Sequence, residues 1–295
     1  MASSGAVRHR PRLVRGPVTI GEPAAWLEPR LARAEPYRPD TIADGGEVLG
    51  LTVRAASVRG LAKRFAGGPR QDDLCLRSVE ATETLLIAVA DGISGAPRSE
   101  LGAALAVRYA TAAAARQLDA GTLDWVDVFQ QAAWGLIEEH RRLTGDPDAG
   151  AEQAAAQLAT TLVVAAITGS RVQVAAVGDS PALLLAAGRY TALVPEPERA
   201  DGLIGGAVEA LPRSVGGLRT AEGALSSGRG EVLLVCTDGL SLPLAGGEGE
   251  VGRLLARELR HPPDIIDFAR LLDFSRATYD DDRTLVAVWP GDDPD

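Results

Sequence analysis

The chain has 295 residues, of which 46% are hydrophobic and 24% are charged, and its formal net charge is −10. This balance is typical of a globular protein and excludes a chain that is disordered or fibrous throughout. The acidic surplus argues against nucleic-acid binding, which needs a basic face. No apolar run reaches the roughly 20 residues of a membrane helix, and the N-terminus has no signal-peptide pattern. We therefore expect a cytoplasmic protein without a membrane span or a nucleic-acid partner.

The reactive residue types exclude several kinds of site. Cys75 and Cys236 each lie in an apolar run, so we interpret both as core residues. The three histidines are not at zinc-ligand spacing, and no G-x-S-x-G motif indicates a serine hydrolase. Lys63 is the only lysine beside 29 arginines, which we attribute to a GC-rich genome rather than to function.

The N-terminal segment differs in composition from the rest. Residues 1–40 hold six of the 18 prolines and seven arginines against four acids. Proline fixes φ and removes a backbone donor, so we expect an extended, poorly packed segment. We place the boundary at residue 51, with a partly disordered extension over 1–50 and a single domain over 51–295.

From residue 51 the chain alternates between strand and helix patterns. Short apolar runs predict strands at 51–58, 74–79, 84–90, 159–168, 171–177, 181–187, 231–236 and 284–289. Helical spacing predicts helices at 99–118, 124–143, 249–260 and 263–274, the first capped by Ser99. Residues 144–157 are interpreted as a linker and 195–230 as a surface insertion. Clustered strands and paired helices favour an α+β fold, a four-layer α-β-β-α sandwich of two antiparallel sheets flanked by helix pairs.

Aspartates recur at the ends of the predicted strands. Asp91 and Asp238 each follow an apolar strand and precede glycine, and Asp179 ends a third such run. Further aspartates stand just before the strands at 74–79 and 284–289. A single Asp-Gly is usually a turn. Several strand-end carboxylates in one domain also fit metal binding, because a buried carboxylate is costly unless it is paired.

A cluster of such carboxylates has a definite chemistry. Four gathered carboxylates repel one another, and two divalent cations would offset their charge. Ligands that are all oxygen suit Mg²⁺ or Mn²⁺ rather than zinc or copper. Two such cations can activate a water and bind a phosphoryl oxygen.

Six segments together resemble the metal-dependent protein phosphatases of the PP2C type. They are RQDD (70–73), VADGISG (89–95), ATTLVVAAI (159–167), VAAVGDSPALLL (174–185), LLVCTDGL (233–240) and DDDRTLVAV (280–288). They occur in the family's order over residues 51–290. The resemblance implies a β-sandwich with a dinuclear Mn²⁺ or Mg²⁺ site that hydrolyses phosphoserine and phosphothreonine in proteins.

The resemblance also implies which residues bind metal. The matching positions are Asp72, Asp91, the carbonyl of Gly92, Asp238 and Asp281. Asp281 is chosen over its neighbours because the family's aspartate stands three residues before a threonine, here Thr284. Asp179 matches the aspartate that can help to hold a third metal in bacterial members.

The sequence departs from the family's pattern at three places. The arginine that contacts substrate phosphate is replaced by Gly67, and we expect Arg64 or Arg70 to take its role. The bridging motif continues with Ile93 rather than histidine or methionine, and Pro181 follows the V-G-D-S motif.

Three functions remain open at this point. The first is a protein serine/threonine phosphatase, expected to be a monomer that acts on a phosphorylated protein and opposes a cognate kinase. The second, suggested by the missing arginine and histidine, is a catalytically weak or inactive binding module of the same fold. The third is a metal-dependent hydrolase of small phosphomonoesters or nucleotides.

Overall fold

The computed structural model describes residues 18–25, 28–194, 209–213, 215–227 and 230–291. The strands are β1 Val18–Thr19, β2 Thr41–Val48, β3 Leu51–Val58, β4 Asp73–Val79, β5 Thr84–Ala90, β6 Leu162–Thr168, β7 Arg171–Val177, β8 Ala182–Ala186, β9 Arg189–Ala192, β10 Arg219–Ala224, β11 Val232–Cys236, β12 Phe274–Ser275 and β13 Arg283–Pro290. The helices are α1 Leu61–Ala66, α2 Ser99–Asp119, α3 Trp125–Thr144, α4 Ala151–Leu158, α5 Asp238–Leu244, α6 Glu250–Glu258 and α7 Ile265–Leu272.

Two antiparallel sheets form the centre of the molecule. One has the strand order β10-β7-β6-β5-β4 and the other β2-β3-β13-β11-β8-β9. The short strands β1 and β12 pair in parallel beside them. Every neighbouring pair within the two large sheets is antiparallel, as the clustered strand patterns predict.

Three apolar layers hold the sheets and helices together. The first lies between the five-stranded sheet and α2, α3 and α4. The second lies between the two sheets. The third lies between the six-stranded sheet and α5, α6 and α7. The predicted four-layer α-β-β-α sandwich is therefore confirmed.

The residues of strand β5 reflect its position between two apolar layers. Its residues are all buried. Leu86 and Ala88 face the helices, whereas Leu85, Ile87 and Val89 face the other sheet. A strand that is covered on both faces needs apolar residues throughout, which explains why TLLIAVA does not alternate with polar residues.

Several sequence predictions are corrected by the structure. Ser99 is the first residue of α2 and not its cap, because Arg98 holds the cap position and no side chain bonds the helix end. Residues 144–157 are not a plain linker, since α4 begins at Ala151, buries Ala154 and Ala155, and packs its last residue, Leu158, with α2 and α3.

The two segments of unusual composition are only partly described. Thr41–Val48 form an edge strand within the predicted N-terminal extension, paired along their length with β3. The expected disorder at residues 1–17 lies outside the described residues. Within 195–230, Arg219–Ala224 form strand β10, while 195–208, 214 and 228–229 are likewise outside them. In the described part of the chain, no helix is long and apolar enough to cross a bilayer.

Candidate metal centre

The register of the five-stranded sheet places two aspartates side by side. In the antiparallel pair of β4 and β5, Asp73 is opposite Ala90. Asp72, just before β4, and Asp91, just after β5, therefore emerge at the same end of the sheet.

The six-stranded sheet delivers a second pair in the same way. Cys236, the last residue of β11, is opposite Leu285 near the start of β13. Asp238 follows β11 and Asp281 precedes β13, so both leave the sheet at one end. Strand pairing and sheet packing thus bring Asp91 and Asp238 to the same end of the molecule, although 147 positions separate them in the sequence.

Hydrogen bonds join the two sheets at this end through Asp72. Its Oδ2 accepts hydrogen bonds from the Thr237 and Thr284 hydroxyls, each at 2.8 Å. The Ser57 hydroxyl lies 2.6 Å from that of Thr284, and Arg70 Nη1 donates to the Ser57 hydroxyl at 2.7 Å. All five side chains are almost completely buried. A buried network of hydrogen bonds between residues of both sheets therefore holds the Asp72 carboxylate in place.

Asp91 is held through its backbone. Its carbonyl oxygen accepts hydrogen bonds from Thr161 N at 2.8 Å and the Thr160 hydroxyl at 2.9 Å. Its N–H donates to the Thr161 hydroxyl at 3.1 Å, and that hydroxyl also contacts the Ser180 hydroxyl. Gly92 pairs with Thr160 in an isolated bridge. The ATT and GDS motifs therefore fix the backbone of Asp91, whereas its carboxyl group shares a side-chain hydrogen bond with Asp238.

The electrostatics show that these carboxylates act on one another. Burial, followed by the charges of Asp72, Asp238 and Asp281, raises the pKa of Asp91 well above its usual range. Burial and the charge of Asp282 raise the pKa of Asp72 to about 7, against the opposing effects of Lys63 and the two threonines. Protonation lowers this repulsion, and a bound cation would do so more completely.

The donor set fits hard divalent cations, although it is not a closed cage. Among the described residues, no three His, Cys, Asp or Glu side chains converge tightly enough to hold an ion as they stand. Two of the carboxyl groups do meet, since a side-chain hydrogen bond between Asp91 and Asp238 adds to the rise in the pKa of Asp91. The donor set consists of carboxylate oxygens, with Asp72 almost completely buried and Asp91 and Asp238 partly buried.

Asp281 and Asp282 lie beside this group and differ from each other. The Asp281 side chain is 51% exposed, whereas that of Asp282 is 1% exposed. Asp282 Oδ1 accepts from Gly60 N at 2.7 Å, and its Oδ2 accepts from Gln71 N at 2.6 Å. Lys63 Nζ donates to both carboxylates, at 2.7 Å to Asp281 and 2.9 Å to Asp282.

Asp282 and Lys63 were not predicted from the sequence as residues of this site. Asp282 is one of three consecutive aspartates, and no spacing distinguishes it as the buried one. Lys63 could have been singled out as the only lysine, but that count does not indicate where its side chain lies. Both residues became visible through contacts that span more than 200 positions of the chain.

The two arginines expected to contact phosphate are engaged in other bonds. Arg64 pairs with Asp40 at 2.7 Å and with Asp273 at 2.6 Å. Arg70 is 2% exposed and donates to the carbonyl of Asp72 and to Ser57. Their assignment as phosphate contacts stays a prediction.

Asp179, expected at a third metal position, belongs to another electrostatic pair. Its charge acts on Arg219, whose guanidinium donates to the carbonyl of Gly178. This surrounding is different from the carboxylate-rich environment of Asp91, and the third site also stays a prediction.

Gly239, which follows Asp238, lies where the turn after β11 closely approaches the loop before β13. A Cβ at Gly239 would overlap the carbonyl oxygen of Asp282. Glycine therefore lets the turn after β11 pack directly on the loop before β13.

Solved structures similar to this chain include bacterial phosphatases. A serine/threonine phosphatase of S. agalactiae is 17% identical, with a TM-score of 0.54 over 81% of this chain and 99% of that one. PppA of Pseudomonas aeruginosa is 18% identical, with a TM-score of 0.54 over 83% and 99%. The catalytic domain of the phosphatase PstP, in complex with two manganese ions, is 21% identical, with a TM-score of 0.52 over 82% and 99%. At these identities the likeness shows a shared fold.

The sequence itself gives the family. No curated protein sequence matches the chain significantly. The family model of protein phosphatase 2C, however, matches residues 59–284, which is more than half of the chain and includes all four strand-end aspartates. The chain belongs to the protein phosphatase 2C family.

Proposed function

We propose that the protein is a metal-dependent phosphatase of phosphoserine and phosphothreonine in proteins. The observation that carries the proposal is the meeting of four aspartates at one end of the sandwich, where Asp72, Asp238 and Asp281 all act electrostatically on Asp91. Membership of the family and the two manganese ions of the PstP structure support it.

The residues of the chain have distinct tasks in this proposal. Asp72, Asp91, Asp238, Asp281 and the carbonyl of Gly92 would hold two Mn²⁺ or Mg²⁺ ions. The ions, when bound, supply a water of lowered pKa and an electrophilic contact for a phosphoryl oxygen. Thr237 and Thr284 orient Asp72 through their hydroxyls. The half-exposed Asp281 leaves the centre open to the surface, where a phosphorylated side chain of a protein can enter.

A phosphopeptide assay tests this function. The full chain is expected to release phosphate from a phosphothreonine peptide with Mn²⁺, and to lose this turnover in EDTA and in Asp238→Asn. The exposed Asp148 offers a matched control, since Asp148→Asn removes a carboxylate remote from these contacts and should leave turnover intact. Equal rates in wild type and Asp238→Asn would contradict the proposal. Faster turnover of free nucleotide than of phosphoprotein would favour the small-molecule hydrolase.

One observation favours the second candidate, a binding module with little activity. Arg64 and Arg70 are both committed to partners within the fold, so neither guanidinium is free for phosphate as it stands. A chain that binds Mn²⁺ with no turnover above that of Asp238→Asn would support the module.

A further inference from the structure

The ammonium group of Lys63 lies among the carboxylates assigned above to metal binding. Its Nζ is 2.7 Å from Asp281 Oδ1 and 2.9 Å from Asp282 Oδ2. The Lys63 side chain is only 16% exposed. Burial disfavours its charge, but the charges of Asp282, Asp281 and Asp72 outweigh this effect and raise the pKa of Lys63. A lysine amine held against two carboxylates is a cation at neutral pH, because the ordinary pKa of lysine is about 10.4.

The backbone fixes Lys63 in this position. Lys63 stands in α1, a short helix that begins after Gly60. Ala62 N donates to the carbonyl of Asp280 at 3.1 Å, and a Cβ at Gly60 would overlap the backbone of Asp280 and Asp281. The helix is thus packed directly on the loop that carries the two carboxylates. Backbone packing therefore fixes the contact of Lys63 with Asp281 and Asp282, so the lysine is not a mobile surface side chain.

Asp282 holds the ammonium from the buried side. It is 2% exposed and receives two backbone N–H groups as well as Lys63. A buried carboxylate with three donors is fully satisfied without a metal ion. Its remaining effect is to keep Lys63 Nζ against the neighbouring Asp281 Oδ1.

The charges then decide how divalent ions bind. Asp72, Asp91 and Asp238 have no lysine or arginine within salt-bridge distance of their carboxylates among the described residues. Asp281 already carries a cation on the oxygen that faces Lys63. An ion ligated by Asp281 has to displace this ammonium or accept its repulsion at close range.

We propose that Lys63 is a resident cation that competes with one of the two divalent ions for Asp281. The two ions therefore bind with unequal affinity, and the ion at Asp281 is the weaker. The inference rests on the proposed function, since it assumes that these carboxylates bind metal.

Calorimetric titration of the full metal-free chain with MnCl₂ tests it, with electron paramagnetic resonance to count free Mn²⁺. The wild type should bind two ions in separate phases, with dissociation constants that differ by roughly tenfold or more. Lys63→Met keeps the length of the side chain and removes the charge. It should tighten the weaker phase by roughly tenfold or more and leave the tighter phase almost unchanged.

Three further variants complete the design. Lys63→Arg keeps the charge and should retain two unequal phases. Arg141→Met removes a distant cation, paired with Glu138, and should bind as the wild type does. If Lys63→Met does not fold, Lys63→Gln replaces it, because its amide can still donate to Asp282.

The outcomes separate this inference from the proposed function. Equal affinities in the wild type, or a weaker phase that is unchanged or loosened in Lys63→Met, would overturn the role of Lys63 while Mn²⁺ binding and turnover persist. Absence of Mn²⁺ binding and turnover in all variants would overturn both proposals.

Discussion

Asp72 lies on the buried side of the acidic centre and Asp281 on its open side, and the two carboxylates are held by different means. Asp72 accepts hydrogen bonds from two buried threonine hydroxyls that belong to the other sheet. Asp281 is half exposed, and its Oδ1 accepts from the ammonium group of Lys63 and from the N–H of Asp282. Neutral hydroxyls orient a carboxylate without neutralising it, whereas an ammonium offsets its charge. The buried side is therefore built to receive a cation, and the open side already has one.

Removing a carboxylate of the buried side should have the largest effect. Asp91→Asn is expected to lower kcat/KM more than ~100-fold, because losing a ligand should exceed the usual effect of residues behind the ligands. The same change relieves repulsion with Asp72 and Asp238, so the metal-free variant should unfold at a temperature no lower than that of the wild type. Steady-state kinetics and thermal unfolding in EDTA check both. Lower stability together with lower activity would indicate misfolding instead.

The hydroxyls behind Asp72 should matter for metal affinity. Thr284→Val keeps the shape of the side chain but removes its donor to Asp72, and we expect Mn²⁺ affinity to fall about 10- to 100-fold. The measurement is calorimetric titration with MnCl₂.

A matched control lies at the far end of the same sandwich. The Thr84 hydroxyl is 2.7 Å from that of Thr168, at the opposite end of β5 from Asp91. Thr84→Val should reduce stability slightly and leave Mn²⁺ affinity unchanged. Equal losses of affinity in Thr84→Val and Thr284→Val would mean that the hydroxyls act only through stability.

The turn after β11 packs closely on the loop before β13, and a side chain at Gly239 would break this contact. Gly239→Ala forces the turn after β11 away from Asp282, and we expect a loss of about 1–3 kcal/mol of unfolding free energy. Gly46→Ala is the control, because no atom lies within 4 Å of a Cβ at that position. Urea unfolding of both variants provides the comparison. A Gly239→Ala protein as stable as Gly46→Ala would contradict the packing.

The buried side is also expected to give the stability of the metal-free chain a pH dependence. The pKa of Asp72 is about 7 in the folded chain against an ordinary value of 3.8. Its stabilising contribution is therefore complete below about pH 4 and is lost as the pH rises through about 7. In EDTA, Asp72→Asn should gain stability relative to the wild type between pH 5 and pH 8. An offset between the two melting temperatures that does not change with pH would exclude this.

Much of the fold could be predicted from local patterns. The run TLLIAVA marked β5 because both of its faces are buried. The edge strand Thr41–Val48 was missed because ADGG has low strand propensity, and pairing with β3 overrides that preference. Helix α4 was missed because eight residues are too short for a clear period.

Some residues of the candidate site could likewise be predicted from local patterns, and others could not. Strand-end Asp-Gly pairs and the order of the motifs marked the carboxylates, because aspartate at the end of an apolar strand is a local and unusual feature. The sequence by itself thus determined the sandwich, the family and the aspartates that could meet. Only the tertiary structure decided that Asp282 is buried while Asp281 is open, that Arg64 and Arg70 are engaged elsewhere, and that Lys63 reaches the centre. These roles depend on charges and backbone contacts between segments far apart in the chain, which no local pattern encodes.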